Sequence, residues 1–391
     1  MFRELIIKTY LLLFQLLFLF FSKRPLEKNK IVFVNSFGDN CSFLLAEIEK
    51  SKPNVKVILL QKKGAFCTIP KHLNVKTYRF ETYHLLDTFL SIYHLATAYR
   101  IIVDNYFGFL SVVKFKENVK CIQIWHAAGA IKKFGLEDPS NRNRTLAANQ
   151  RFQQVYDNFD YVVVGSDKFT EVFKKAFGIE DSQILPTGIP RTDLFFNPEV
   201  INEKIELLRN NWPFLQDKMV ILYAPTFRSG EMDSFQIKLD LQKLVTFLSD
   251  KKYHLLIKLH PINRNHVSIP SEFKAFITDV STYPNINDLL LITDLLITDY
   301  SSIPFEFSIL EKPMIFFAYD LEQYEKERGF WDPYHEIVPG PIANNTDEII
   351  QLIHDNNFDL DKIKSFKETW NKYSFGESSK TFVREILQTE E

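Results

Sequence analysis

The sequence predicts an α/β protein made of two parallel-sheet domains of comparable size, and three observations carry that prediction. Short apolar, β-branched runs alternate with stretches of helical spacing along most of the 391 residues. The alternation comes in two series separated by a polar segment, and a chain this long exceeds one ordinary core. Within the second series, residues 295–317, LLITDYSSIPFEFSILEKPMIFF, read as strand, turn, helix and next strand, the repeating unit of a doubly wound sheet.

In chain order, the strands of the first series are expected at 31–35, 55–60, 101–104, 121–125 and 161–165, with helices at 42–49 and 168–177. The second series has strands at 220–223, 254–259, 295–298 and 314–317, and helices at 241–248 and from Asn287. The polar segment 197–217, with Pro198 and Pro213 bracketing one short helix, reads as the linker. The domains are therefore set at 25–196 and 197–391, preceded by a distinct segment, 1–24. Two sheets facing each other would leave a cleft lined by the carboxyl ends of both sets of strands.

The amino-terminal segment places Arg3 and Lys8 among Leu, Ile and Phe, and Lys23 and Arg24 follow it. Its apolar run, 10–21, is shorter than the ~20 residues of a bilayer span and lacks a small-residue cleavage site. A helix lying in the headgroup region fits better, with basic groups paired to anionic lipid and Leu and Phe buried. A helix packed on its own protein and a short tilted span remain the alternatives.

Charge excludes one class of partner: 47 Lys and Arg against 49 Asp and Glu give no basic field for nucleic acid. Cys41, Cys67 and Cys121 are odd in number and far apart in sequence, so neither a disulfide framework nor a zinc site is indicated, and a reducing compartment is favoured.

The candidates for chemistry fall at strand ends. His126 follows the fourth strand and is itself followed by Ala127, Ala128, Gly129, Lys132 and Lys133; a histidine so held can approach a substrate hydroxyl, and a free pKa near ~6.5 suits proton abstraction. His260, closed off by Pro261, is placed to donate to a phosphate oxygen as charge builds. Thr226 and Arg228 end another strand beside Pro225, and Arg191 stands at the entry to the linker, where a guanidinium could clamp a diphosphate. Ser301 and Ser302 start the helix after residue 298, with Pro304 in its first turn and Glu306 in reach of a ribose. An ordinary crossover with a serine cap accounts for the same residues. Asp299 is a possible metal ligand, but no second carboxylate is spaced to pair with it, so no metal is assigned.

WHAAGAIKKFG from Trp125, GIPRTD from Gly188, YAPTFR from Tyr223, KLHP from Lys258 and ITDYSSIPFEF from Ile297 occur together and in order. In this the chain resembles the CDP-glycerol glycerophosphotransferase family of wall teichoic acid synthesis and, within it, the glycerol-phosphate primases. The resemblance implies a GT-B-like pair of Rossmann-like domains facing across a cleft, with an N-terminal membrane-associating helix. It implies transfer of one sn-glycerol 3-phosphate from CDP-glycerol to the N-acetylmannosamine of an undecaprenyl-diphosphate-linked disaccharide, releasing CMP. His126 matches the family's catalytic base and His260 its second histidine. Arg191, Pro225, Thr226, Ser301 and Ser302 match nucleotide or diphosphate contacts, Lys258 is added as a substrate contact, and Glu306 stands where some relatives carry aspartate. No cofactor is implied; the site is peripheral at the cytoplasmic face of the membrane, and other wall teichoic acid enzymes are possible partners. A polymerase, a ribitol-phosphate transferase, a silent nucleotide-binding scaffold and a sugar-transferring enzyme share parts of this pattern, and the lack of a large extra domain favours a primase.

Overall fold

Runs of Val, Ile, Leu and Phe with no polar alternation become strands buried on both faces, which is what a parallel sheet covered by helices demands. A computed structural model describes residues 2–228, 236–249, 252–259 and 269–387. Their contacts divide the chain into two units, Met1–Ala128, Phe134–Asp193 and Lys372–Glu391 in the first, and Gly129–Lys133 and Leu194–Asn371 in the second.

In the first unit the strands are β1 (Glu27–Asn35), β2 (Lys56–Gln61), β3 (Val75–Arg79), β4 (Ala98–Val103), β5 (Lys120–Gln123), β6 (Tyr161–Val163) and β7 (Ile184–Leu185). They form one sheet in the order β3-β2-β1-β4-β5-β6-β7, each neighbour parallel to the next. The second unit contains β8 (Met219–Ala224), β9 (Tyr253–Ile257), β10 (Ile277–Asp279), β11 (Leu295–Thr298), β12 (Met314–Phe317) and β13 (Ile342–Ala343), in the order β10-β9-β8-β11-β12-β13 and also parallel. Both orders are those of a Rossmann sheet. Each reverses direction once, between β1 and β4 and between β8 and β11, and ligands of such sheets bind outside the carboxyl ends of the strands at that reversal.

The contiguous division expected at 196/197 is crossed twice. Residues Gly129–Lys133 pack with the second unit, and Lys372–Glu391 return to the first. The return is fixed by Asp193, whose two carboxylate oxygens accept the N–H groups of Ser378 and Ser379 at 2.8 Å each and so cap the helix Ser378–Leu387. Gly188, at φ +80°, lies so close to Tyr373 and Ser378 that a Cβ there would strike both. The helix expected between Pro198 and Pro213 is present as Pro198–Asn211, and it packs against the helix Ile286–Ile292 of its own unit.

Helix α1 (Phe2–Phe21) packs one face on its own unit and leaves the other bare. Leu11, Phe14, Phe18 and Phe21 are buried, with Phe14 stacked on Phe109 and Phe21 edge-on to Phe89 and Tyr93. Leu5, Ile6, Leu12, Leu13, Leu16, Leu19 and Phe20 point outward, each more than half exposed. By length and composition this helix could also cross a membrane.

Candidate functional site

In the first unit the chain leaves β5 through Trp125, which adopts φ +50°, a left-handed conformation that costs a bulky residue of order 1–2 kcal/mol. Two side chains hold the turn. Gln123 Oε1 accepts the Trp125 N–H at 2.8 Å, and Asn40 Nδ2 donates to the carbonyls of Ile124 and Trp125 at 3.2 and 2.9 Å. Asn40 sits in the first turn of α2 (Asp39–Ser51), so the start of that helix braces the end of β5.

This turn presents His126. Its Nδ1 lies 2.9 Å from the Asp104 carbonyl oxygen, and because a carbonyl only accepts, Nδ1 carries the proton and, in the neutral ring, Nε2 the lone pair. The ring stacks on Phe37 at 4.2 Å between centroids, which fixes its plane. Asp104, in turn, takes the N–H groups of Ser36, Phe37 and Gly38 on its carboxylate at 2.8–2.9 Å. Burial pushes this carboxyl up to about 6, against the three backbone donors that pull it down. One aspartate at the sheet's reversal point thus positions the histidine through its main chain and the histidine's stacking partner through its side chain.

Asn40, Asp104 and Phe37 were not singled out by the sequence. They come from the ends of β1 and β4 and the start of α2, and only the strand order brings them to β5. Arg191, expected to clamp a diphosphate, is 6% exposed; its N–H donates to Asn40 Oδ1 at 3.0 Å and its Nη1 lies 3.4 Å from Asp39. One end of the guanidinium is thus held at the start of α2, within its own unit.

In the second unit the turns after β8 and β11 meet at the other reversal point. Pro225, half-buried, ends β8 because it has no N–H to continue the ladder. Asp299 Oδ1 accepts the N–H groups of Thr226 and Tyr300 at 2.8 and 2.7 Å, and Oδ2 pairs with Arg228 at 3.0 Å. Oδ1 is thus engaged by two main-chain donors, while Oδ2 faces the Arg228 guanidinium without a hydrogen bond among the described residues. Arg228 also grips Asp320 with two N–H groups, at 2.8 and 3.0 Å, and lies over Tyr324. Burial opposes the guanidinium's charge, but the Asp320 hydrogen bonds and Asp299 outweigh it and its pKa is raised. Thr226 Oγ1 is buried and has no hydrogen-bond partner among the described residues.

The helix expected after Ser302 is one short turn, Ile303–Phe307, followed by a 3-10 turn. So short a helix carries little macrodipole, which weakens that part of the phosphate argument. Ser301, not Ser302, supplies the capping hydroxyl, accepting the Ile303 N–H at 3.3 Å, and both serines are half-buried. Glu306 is 1% exposed, so a ribose could not touch it without moving this turn. Lys258 Nζ donates to the carbonyls of Ser281 and Tyr283 at 2.9 and 2.8 Å and so braces that loop. His260 lies outside the described residues. Among those described, no group of three or more His, Cys, Asp and Glu is arranged to hold a metal.

Residues 16–388 match the model of the family described as CDP-Glycerol:Poly(glycerophosphate) glycerophosphotransferase. The chain is 39% identical to the teichoic acid glycerol-phosphate primase of Bacillus subtilis (strain 168), over 94% of each chain. It is 34% identical to the teichoic acid ribitol-phosphate primase of Bacillus spizizenii, over 91% of this chain and 90% of that one. The solved structure of the wall teichoic acid polymerase TagF superposes with a TM-score of 0.80 at 27% identity, covering 93% of this chain and 89% of that one. In fold it is thus GT-B-like, as the two Rossmann sheets imply. By sequence and by fold together, the chain belongs to the CDP-glycerol:poly(glycerophosphate) glycerophosphotransferase family and is a glycerophosphotransferase of teichoic acid synthesis.

Proposed function

We propose that the chain transfers a single sn-glycerol 3-phosphate from CDP-glycerol to the N-acetylmannosamine of undecaprenyl-diphosphate-linked ManNAc-GlcNAc, releasing CMP and priming wall teichoic acid. The observation that carries the chemistry is the His126 tautomer: Nδ1–H is held by the Asp104 carbonyl, which leaves Nε2 as the proton acceptor. His126 Nε2 takes the proton of the acceptor hydroxyl, whose oxygen attacks the β-phosphorus. The bond from that phosphorus to the CMP oxygen breaks, and no covalent enzyme intermediate is formed. Thr226, Ser301 and Ser302 at the second reversal point meet the donor's phosphates, and His260 is assigned to the departing CMP. No cofactor is assigned to this transfer. The donor is supported by the family's description and by a TagF structure carrying CDPG after a soak. Glycerol rather than ribitol is supported by the 39% identity to a glycerol-phosphate primase.

A lipid-linked acceptor requires the site to work at a membrane surface. The outer face of α1, with exposed Lys8, Lys23 and Arg24, supports peripheral docking at the cytoplasmic leaflet. Beside it, α3 (Leu85–Thr97) packs on α1 and exposes Leu85, Leu86 and Phe89, with Tyr83 just ahead of it.

The test incubates purified protein and its His126→Ala variant with CDP-glycerol, CDP-ribitol or UDP-sugars and a synthetic lipid-linked disaccharide, and weighs the products. One added glycerol phosphate with CMP release is expected, and the variant should lose about 100- to 10,000-fold in kcat with donor binding retained. Long products would indicate a polymerase, use of CDP-ribitol a ribitol transferase, and nucleoside diphosphate release a sugar transferase. Turnover unaffected by the substitution would remove His126 from the chemistry.

A further inference from the structure

The residues just after His126 add a small antiparallel rung to the second unit. Lys132 bridges Phe330, the Lys133 N–H donates to the Gly329 carbonyl at 3.0 Å, and the Trp331 N–H donates to the Ile131 carbonyl at 3.1 Å. Phe330 stacks on Tyr300 at 5.6 Å between centroids, and Tyr300 stacks on Tyr324 at 3.9 Å and donates its hydroxyl to Asp320 at 3.0 Å. Gly129 is seated against the Phe305 ring with no room for a Cβ. Backbone pairing and ring packing therefore hold Lys132 beside the turns that follow β8 and β11.

Among the described groups that act on the Lys132 ammonium, cations outnumber carboxylates. Lys132 lies within electrostatic reach of Asp299, Arg328 and Arg228, and Arg228 within reach of Asp299 and Asp320. Arg228 already engages both carboxylates. No hydrogen bond or ion pair to another described residue takes the Lys132 ammonium. Burial draws its pKa down to about 8, with Asp299 pulling it back up and Arg328 and Arg228 pushing it further down. A cation opposed by burial, with further cations and the Asp299 carboxylate that holds the Thr226 N–H in electrostatic reach, suits an oxyanion of high charge density.

We propose that Lys132 is a donor-binding residue that pairs with the diphosphate of the CDP-linked substrate at the reversal point of the second sheet. The inference rests on the reading of the chain as a CDP-glycerol-dependent transferase. It also gives the enzyme an alkaline limit. Only the protonated amine attracts phosphate, so donor affinity falls as pH rises through about 8 in the free protein, and bound diphosphate shifts that limit upward.

Three full-length proteins decide the matter: wild type, Lys132→Met and Lys132→Arg, each titrated calorimetrically with CDP-glycerol and assayed from about pH 6.5 to 9.5, either side of the lysine's titration. Lys132→Met should weaken CDP-glycerol binding about 10- to 100-fold, as loss of a charge-assisted contact does. Lys132→Arg, which keeps the charge at every pH tested, should bind near wild-type strength and lose the alkaline fall in affinity. The proposal is overturned if Lys132→Met binds CDP-glycerol as wild type does. It is also overturned if both variants weaken alike while their thermal midpoints drop together, since Lys132 would then only balance Asp299. Failure of the wild type itself to bind CDP-glycerol would overturn the donor reading and the proposal with it.

Discussion

At the scale of single residues, the setting of His126 depends on Asp104, Asn40 and Phe37. The strand-end position of His126 was legible in the apolar run that precedes it. What aims it was not legible: Asp104 and Asn40 look like ordinary strand-end and helix-start polar residues until the sheet order is known. Arg191 illustrates the same limit, since sequence shows its charge but not its partners, Asp39 among them. Asn40 gives the sharpest prediction at this scale. Its amide donates to two carbonyls and accepts the Arg191 N–H, so Asn40→Ala leaves three main-chain groups unpaired around a strained Trp125. The cost should be about 2 kcal/mol or more, read as a lower denaturant midpoint, with a fall in kcat larger than the change in donor KM. Asn40→Asp keeps the acceptor but turns the donor into a repelled oxygen, and it should rescue neither quantity. A variant whose kcat stays at the wild-type level would show that this brace does not aim His126.

At the scale of elements, the strongly apolar strands and the helices with clean spacing were legible; β11 and β12 have the expected bounds to the residue. The strands that escaped notice are β3, polar and half-covered, and β7, β10 and β13, of two or three residues each. Edge strands owe their existence to a neighbour's unpaired N–H and C=O groups, which composition does not reveal. The turn after β11 was recognised, but Pro304 and Phe305 begin a helix that lasts one turn before tightening. Phe305 instead acts as a wedge, stacked on Phe366 at 5.2 Å and edge-on to Trp370 at 4.6 Å, with Gly129 against its other side. Gly129→Ala should therefore cost about 1–3 kcal/mol, because a ring packed on two aromatics has nowhere to move. In a double-mutant cycle with Phe305→Leu, whose smaller side chain makes room for the methyl group, the two changes should destabilise less together than their sum. Strict additivity would mean that the contact exerts no strain.

At the scale of the whole molecule, two series of strands predicted two sheets, but no local pattern announced that residues 129–133 and 372–391 pack with the unit they do not adjoin in sequence. Such returns are settled by single fittings, the Asp193 cap and the Gly188 approach among them, rather than by composition. The amino-terminal segment shows the same limit. Its apolar content was plain, yet four of its apolar side chains are buried on its own unit and seven are offered outward.

That division decides how membrane docking must be tested. Removing α1 altogether would strip Phe14 and Phe18 from Phe109 and Phe115 and expose core, so lost vesicle binding would be confounded with lost fold. Substituting Leu12, Leu13 and Leu16 together by Ser touches only the outer face. With a net charge of −2 the protein has no long-range pull toward anionic lipid, so apolar burial must supply most of the binding and the basic flank the rest. The triple variant should therefore bind phosphatidylglycerol vesicles at least about 100-fold more weakly, while its thermal midpoint and its turnover of a short-chain soluble acceptor stay near wild type. Leu85→Ser with Leu86→Ser should give a smaller loss if the bilayer also covers the start of α3. Co-sedimentation of the triple variant at the wild-type level would mean that this face meets something other than lipid.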